Sequence, residues 1–93
     1  MDYSTELLSA IEAHAQEMMT PTEISALLGI DERVLCDDIA TVGCPARVAY
    51  VRGVARTALE LRRTLHDTAV AGSPYCVQEC QRLLTIAQSS VNL

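Results

Sequence analysis

Each of the three prolines in this chain stands at a break where a helix can start. Pro21 follows Thr20, Pro45 follows a Gly-Cys pair and Pro74 follows a Gly-Ser pair. Proline is favoured at the first helical position, where its missing N–H has no partner to lose, and it breaks a helix further along. The prolines therefore predict three helix starts, and they exclude a single helix that runs through any of them.

Apolar residues between these breaks recur at intervals of three and four, which is typical of amphipathic helices, and no alternation long enough for a strand occurs. Gly29 and the capping residue Asp31 divide the segment after Pro21 into two short helices. At 93 residues the chain is too short for two self-supporting cores, so we predict one domain over residues 1–93. The predicted fold is all-α, with helices over residues 4–19, 21–28, 32–40, 45–70 and 74–88 and a frayed end over residues 89–93.

The helical spacing predicts which residues form the apolar stripe or the inward face of each helix. On the first helix they are Leu7, Leu8, Ile11, Ala15, Met18 and Met19. On the two short helices and their turn they are Ile24, Ser25, Leu28, Ile30, Leu35 and Ile39. On the long helix they are Val48, Val51, Ala55, Ala58, Leu59, Leu65 and Ala69. Gly53 costs about 1 kcal/mol relative to alanine inside a helix, so its presence predicts close packing against a neighbour.

All basic residues are arginines, and they are concentrated in the second half of the chain. Residues 1–46 contain nine acidic residues and one arginine, whereas residues 47–93 contain six arginines and three acidic residues. The net charge of −5 argues against a free-standing, high-affinity nucleic-acid binder. The uneven distribution favours self-association between unlike parts of two copies, or a nucleic-acid binder that works only as an oligomer.

The two short helices over residues 20–40 have the spacing of a helix-turn-helix, in which the second helix enters the major groove of DNA. The exposed positions of that second helix are predicted to be Glu32, Arg33, Cys36, Asp37 and Asp38. Arg33 alone suits a base edge or a phosphate, and the acids repel the phosphate backbone. Simple antiparallel packing of two helices explains the pattern as well, so both interpretations stay open.

The long helix carries five arginines, which are Arg47, Arg52, Arg56, Arg62 and Arg63. Such a row can follow phosphates or clamp an acidic partner. Alternatively, the arginines form a solvated face that turns toward the acidic first half of the chain. Glu60 and Asp67, each four residues after an arginine, would then balance part of their charge. The near absence of interleaved aromatic residues favours this second interpretation.

Candidate metal ligands and nucleophiles are few: Cys36, Cys44, Cys76, Cys80, His14 and His66. The last two cysteines are four residues apart, a spacing that zinc sites can use, but the first two form no tight knuckle. We therefore expect all four to pack as small buried hydrophobic residues, without a metal or other cofactor. Both histidines lie on predicted helices with no nucleophile placed beside them, so we expect no enzymatic activity.

The start of the chain does not resemble a targeting peptide. Its first twenty residues contain four acidic residues and no basic one, the reverse of the basic start of such peptides. Its longest uncharged stretches span eleven residues, about half of the ~20 that a membrane-spanning helix needs. We expect a cytoplasmic protein with no membrane contact.

Several segments occur in an order that points to a family. An N-terminal helix is followed by Thr-Pro-Thr-Glu-Ile-Ser-Ala-Leu-Leu-Gly-Ile-Asp at residues 20–31. Tyr-Val-Arg-Gly at residues 50–53 and Arg62-Arg63 lie in the long helix, and Ala-Gly-Ser-Pro at residues 71–74 precedes the last one. Over nearly the whole chain this order resembles the small terminase subunits of tailed phages and prophages.

The resemblance implies a non-catalytic role in DNA packaging. Members of this family form oligomers, recognise double-stranded DNA through a helix-turn-helix and pass it to a large terminase subunit, which carries the ATPase and nuclease activities. The recognition helix would cover residues 32–39, with Arg33 as its main DNA contact, and the helices over residues 45–70 and 74–88 would mediate assembly. This sequence departs from the pattern in the acidity of Glu32, Asp37 and Asp38.

Our candidate DNA-binding residues are Arg33, Thr22, Arg47, Arg52 and Arg56. Our candidate oligomer-interface residues are Val51, Leu65, Val77 and Leu84. The expected partners are double-stranded DNA, a large terminase-type subunit and further copies of the chain. Two other functions stay open, a helical oligomerisation module with a vestigial helix-turn-helix and a small prophage transcriptional regulator.

Overall fold

A computed structural model describes residues 1–90, and it contains five α-helices and no strand within that range. The helices are α1 (Thr5–Gln16), α2 (Pro21–Leu28), α3 (Glu32–Ala40), α4 (Pro45–Val70) and α5 (Pro74–Ser90). The all-α prediction is confirmed, and each proline begins a helix. None of these helices is long and apolar enough to span a membrane.

Side chains that the sequence places at the breaks cap the helices. Thr20 Oγ1 accepts a hydrogen bond from the backbone N–H of Glu23 at 3.2 Å, and Glu23 Oε1 accepts one from the N–H of Thr20 at 2.9 Å. Asp31 Oδ1 accepts one from the N–H of Val34 at 3.1 Å. These bonds satisfy N–H groups that the first turn of a helix leaves without a partner, and they fix the starts of α2 and α3.

Two helix ends differ from the prediction. Helix α1 stops at Gln16 because Met18 takes a φ of 67°, which allows the N–H of Met19 to reach the carbonyl of His14 at 3.2 Å. Met18 is exposed, so its predicted place in the core was wrong, whereas Met19 packs partly against the core. Helix α5 continues to Ser90, past the predicted end at residue 88. Residues 91–93 of the segment predicted to fray lie outside the described residues.

The chain divides into two compact units, unit 1 (Met1–Ala58) and unit 2 (Leu59–Leu93). Unit 1 holds α1, α2, α3 and the first half of α4. Its buried apolar residues are Ile11, Ala15, Ile24, Leu35, Ile39, Ala46 and Ala49. The stripes predicted on the two short helices are confirmed here, since Ile24 and Leu35 are fully buried. The single domain predicted for the whole chain stays a prediction.

Within unit 1, α4 packs against α1 through small residues. Ala46, Ala49 and Gly53 form its buried face. A Cβ added to Gly53 would lie 2.8 Å from Ala15 Cβ and 3.0 Å from the backbone nitrogen of Gln16. The close packing predicted at Gly53 is therefore confirmed, and it is a contact between two helix backbones.

The apolar stripe predicted for the first part of α4 does not face the core of unit 1. Val48 and Val51 are both about half exposed, and Ala55 is exposed as well. The buried side of α4 is the one that carries short side chains, and the lack of a side chain at Gly53 allows the backbones of α4 and α1 to approach. The larger apolar residues consequently face solvent in a single copy of the chain.

In unit 2, no residue between Leu59 and Ser90 is buried. Leu65, Ala69 and Leu83 are half-buried. The large exposed apolar residues of this unit are Leu59, Leu61, Val70, Tyr75, Val77, Leu84 and Ile86. As a single copy, the described part of unit 2 therefore has no core of its own.

Candidate nucleic-acid interface

Helices α2 and α3 are joined by a tight turn at Gly29. This residue has a φ of 70°, in the left-handed region that glycine adopts without strain. The N–H groups of Gly29 and Ile30 both reach the carbonyl of Ser25, which closes the end of α2, and Asp31 then caps α3. The hydroxyl of Ser25, buried between the helices, donates to the carbonyl of Thr22 at 2.7 Å. The helix, turn and helix predicted over residues 20–40 are present.

The exposed face of α3 carries one positive and several negative charges. Glu32, Arg33 and Asp37 are exposed, and Cys36 is half-buried. Together with Asp31 they line a shallow depression at the start of the helix. Three carboxylates thus surround one guanidinium, and they oppose the approach of a phosphate that the guanidinium favours.

Asp38 is not part of this exposed face. Tyr3 Oη donates a hydrogen bond to Asp38 Oδ2 at 2.5 Å, and both side chains are partly buried. Burial raises the pKa of the Tyr3 phenol far above its ordinary value, and the hydrogen bond to Asp38 and its negative charge raise it further. The bond ties the N-terminal segment to α3. No sequence pattern relates two residues so far apart in the chain, so this bond could not be predicted.

Thr22 lies beside the start of α3. Its hydroxyl donates a hydrogen bond to Glu32 Oε1 at 3.0 Å, and both residues are exposed. The bond links the first turn of α2 to the first turn of α3, next to Arg33 in sequence. Thr22 therefore stands at the exposed edge of the helix-turn-helix.

Arg47 is used within the fold. Its Nη1 donates a hydrogen bond to the carbonyl of Ile39 at 2.9 Å, and the side chain is half-buried. The carbonyls in the last turn of a helix have no partner in that helix, so Arg47 caps the C-terminal end of α3. In this arrangement it holds α3 to the start of α4.

Arg52 and Arg56 both pair with Glu12 of α1. Arg52 Nη1 lies 3.8 Å from Glu12 Oε1, and Arg56 Nη1 lies 2.7 Å from Glu12 Oε2. The pairing of Arg56 with Glu60 that the spacing predicted is therefore wrong. The expectation that this face turns toward the acidic first half holds for these two arginines.

Four arginines make no ion pair with any residue in the range 1–90, and three of these, Arg33, Arg62 and Arg63, also make no side-chain hydrogen bond within that range. The pair predicted between Arg63 and Asp67 is absent from that range, and Asp67 lies 3.9 Å from His66 instead. Two of the cations most available to an anion are thus Arg62 and Arg63, which our candidate list left out. The sequence feature that could have identified them is that two arginines are adjacent, so that nearby acidic residues do not balance both charges.

The candidate interface residues lie at the surface. Val51, Val77 and Leu84 are exposed and Leu65 is half-buried. Leu84 borders a mainly apolar groove of about 490 Å³ in unit 2, which Arg62, His66 and Cys80 also line. An exposed apolar groove of this kind is typical of surfaces that contact another protein.

The structure describes no metal centre. Across residues 1–90 no three side chains of His, Cys, Asp or Glu come together as metal ligands. The four cysteines are free and only half-buried, with Cys44 packed against the core. They were expected to be buried, so that expectation holds only in part.

Comparisons with protein-family profiles, curated proteins and solved structures return no match.

Proposed function

We propose that the chain is a non-catalytic adaptor of the small terminase type. It would self-associate, bind double-stranded DNA through its helix-turn-helix and pass the DNA to a large partner subunit. The observation that carries this proposal is the tight α2–Gly29–α3 turn, which leaves the first turn of α3 and Arg33 exposed. A recognition helix needs this exposure to enter the major groove.

Self-association is supported by the composition of unit 2. Folded units below about 40 residues rarely bury enough surface to be stable without a metal, disulfides or other copies. Unit 2 starts at Leu59, its described residues include no buried one, and its exposed leucines, valines and isoleucine need a partner. Its three arginines and three acids balance, so the units of two copies do not repel each other. Contact between copies would supply the missing core.

Assembly would also compensate for the low DNA affinity of the exposed face of α3 in a single copy. One Arg33 among three carboxylates gives a single copy little affinity for a polyanion. An oligomer presents one such arginine per copy, and linked contacts raise the overall affinity by far more than one contact does. Binding is therefore expected from the oligomer, and it should weaken strongly as the salt concentration rises.

A second candidate is a helical interaction module that does not bind DNA. The acidity around Arg33, together with the engagement of Arg47, Arg52 and Arg56 in contacts within the fold, supports it. In that case the helix-turn-helix is a scaffold, and the apolar surface of unit 2 carries the function.

The test is a fluorescence anisotropy titration of a labelled duplex with the full chain at two salt concentrations. We expect salt-sensitive binding that Arg33→Gln weakens at least tenfold, because one contact is lost in every copy of the oligomer. Arg82→Gln removes the same charge from a residue that pairs with Glu79 inside α5, and it should change the affinity less than twofold. Absence of salt-sensitive binding by the wild-type oligomer would leave the interaction module.

A further inference from the structure

We propose that Arg52 and Arg56 form a phosphate-binding site that Glu12 masks, so that a nucleic-acid phosphate must displace the Glu12 carboxylate before α4 can contact the backbone. This inference rests on the proposed DNA-binding function. It assigns to Glu12 a role that composition cannot reveal, that of an internal competitor for the phosphate.

The geometry is that of an anion held between two guanidinium groups. Arg52 and Arg56 are one helical turn apart on α4, and each faces a different oxygen of the same carboxylate, at 3.8 Å and 2.7 Å. Guanidinium groups bind carboxylate and phosphate oxygens with the same planar arrangement of donors. A phosphate with its oxygens at these positions would meet the same two cations.

The two arginines are accessible, whereas the carboxylate lies deeper. The side chains of Arg52 and Arg56 are 60% and 55% exposed, and that of Glu12 is 20% exposed. A phosphate can therefore approach the guanidinium groups from solvent. The core of unit 1 does not have to open for the exchange.

The packing of α1 on α4 does not depend on this ion pair. Gly53 lies directly against Ala15, and the hydroxyl of Thr57 donates to the carbonyl of Gln16. These contacts hold the helices together beneath the charged groups. The charge of Glu12 can thus be removed while its size is kept, as in Glu12→Gln.

The salt concentration determines whether the Glu12 carboxylate or a phosphate of the duplex binds Arg52 and Arg56. An ion pair between side chains that are largely exposed contributes little net free energy. A duplex gains affinity from the counterions that it releases when arginines bind its phosphates, most strongly at low salt. The masked site should accordingly open to a duplex at low salt and stay closed by Glu12 at high salt.

The test compares Glu12→Gln with Glu17→Gln in anisotropy titrations of a labelled duplex. Both variants remove one negative charge from the α1 region, but Glu17 is exposed and makes no ion pair with a described residue. We expect Glu12→Gln to bind about fivefold more tightly than Glu17→Gln at low salt, with a salt dependence steeper by about one to two phosphate contacts. Adding Arg52→Gln and Arg56→Gln to Glu12→Gln should abolish the gain.

Equal affinities of the two single variants would overturn the masking role. If the wild type binds DNA in a salt-sensitive way and Glu12→Gln gains nothing, this inference fails and the proposed function stands. If neither binds, both fail. If Glu12→Gln loses its helical circular dichroism signal, the masking role is tested instead with the double variant Arg52→Gln/Arg56→Gln, in which Glu12 is kept. The masked site predicts that this double variant loses affinity at low salt, where the duplex displaces Glu12, and comes within twofold of the wild type as the salt concentration rises; an equal loss at both salt concentrations would contradict it.

Discussion

Gly53 of α4 lies directly against Ala15 of α1, so closely that a Cβ on Gly53 would come within 2.8 Å of the Ala15 Cβ. This approach places the two helix backbones side by side. It also brings Glu12, one turn before Ala15, to the arginines that flank Gly53. The helix crossing and the charged contact thus have the same origin.

Gly53→Ala should destabilise the fold although alanine is the better helix former. Helix propensity alone predicts a gain of about 1 kcal/mol. The overlap with Ala15 and with the backbone of α1 should outweigh it, for a net loss of about 2 kcal/mol. Urea unfolding followed by circular dichroism measures this, with Ala55→Gly at an exposed position of α4 as the control, expected to cost about 1 kcal/mol. A higher stability of Gly53→Ala would contradict the crossing.

Thr20→Ala should lower the free energy of unfolding by about 1 kcal/mol, because it removes the acceptor for the N–H of Glu23 at the start of α2. The measurement is again chemical unfolding. The control is Thr85→Ala on α5, where the hydroxyl bonds only to the carbonyl of Gln81 in the same helix and no loss is expected, because alanine is the better helix former. Equal losses would show that the cap contributes nothing of its own.

The capping carboxylate also predicts a pH dependence. The backbone N–H of Thr20, and secondarily its side chain, hold the pKa of Glu23 below its ordinary value of 4.5. A lowered pKa in the folded state means that Glu23 stabilises the fold above pH 4.5, and that this contribution is lost as the pH falls through the folded pKa. Glu23→Gln should therefore show a shallower loss of stability below pH 4.5 than the wild type. Glu17→Gln, which removes the same charge outside the capping box, is the matched control.

The contact between Tyr3 and Asp38 predicts a change at alkaline pH. Because the pKa of folded Tyr3 is raised above its ordinary value of 10.0, the protonated phenol stabilises the fold below pH 10, and this is lost as the pH rises further. Asp38→Asn should lower the pKa of Tyr3 toward 10.0, while burial keeps it somewhat raised. Spectrophotometric titration of the tyrosines measures this, and Tyr75→Phe, which removes an exposed tyrosine, identifies the signal. An unchanged titration in Asp38→Asn would exclude the bond.

Leu84→Glu should weaken self-association. Burying a leucine at an interface contributes about 2 kcal/mol, so the dissociation constant should rise at least tenfold. Leu27→Glu is the matched control, since Leu27 of α2 in unit 1 is equally exposed, at 60%. Sedimentation velocity over a range of concentrations compares the two. If both variants remain as associated as the wild type, the surface of unit 2 around Leu84 is not the interface.

Sequence reasoning predicted the helices well because their boundaries are local. Pro21, Gly29 and Asp31 act on the backbone within one turn, and the structure shows the caps that these residue types imply. The buried residues of α2 and α3 were also predictable, since each short helix has only one apolar face. Gly53 was informative for the same reason, because a glycine inside a helix has few uses other than close approach.

The first part of α4 could not be predicted because it has two apolar faces. Val48 and Val51 are the more hydrophobic, but Ala46, Ala49 and Gly53 are the buried residues and Gly53 lies against α1, so shape rather than hydrophobicity decided the packing. The ion-pair partner of Arg56 was predicted wrongly for a related reason. A spacing of four suggested Glu60 in the same helix, whereas the contact to Glu12 depends on how α1 lies against α4.

Sedimentation velocity of a labelled duplex mixed with the full chain, at low and at high salt, reports assembly and DNA binding in one experiment. We predict that at low salt the duplex sediments in a complex that contains several copies of the chain, and that it sediments alone at high salt. If the duplex sediments alone at both salt concentrations and the protein is monomeric at both, the proposed DNA-binding oligomer is contradicted.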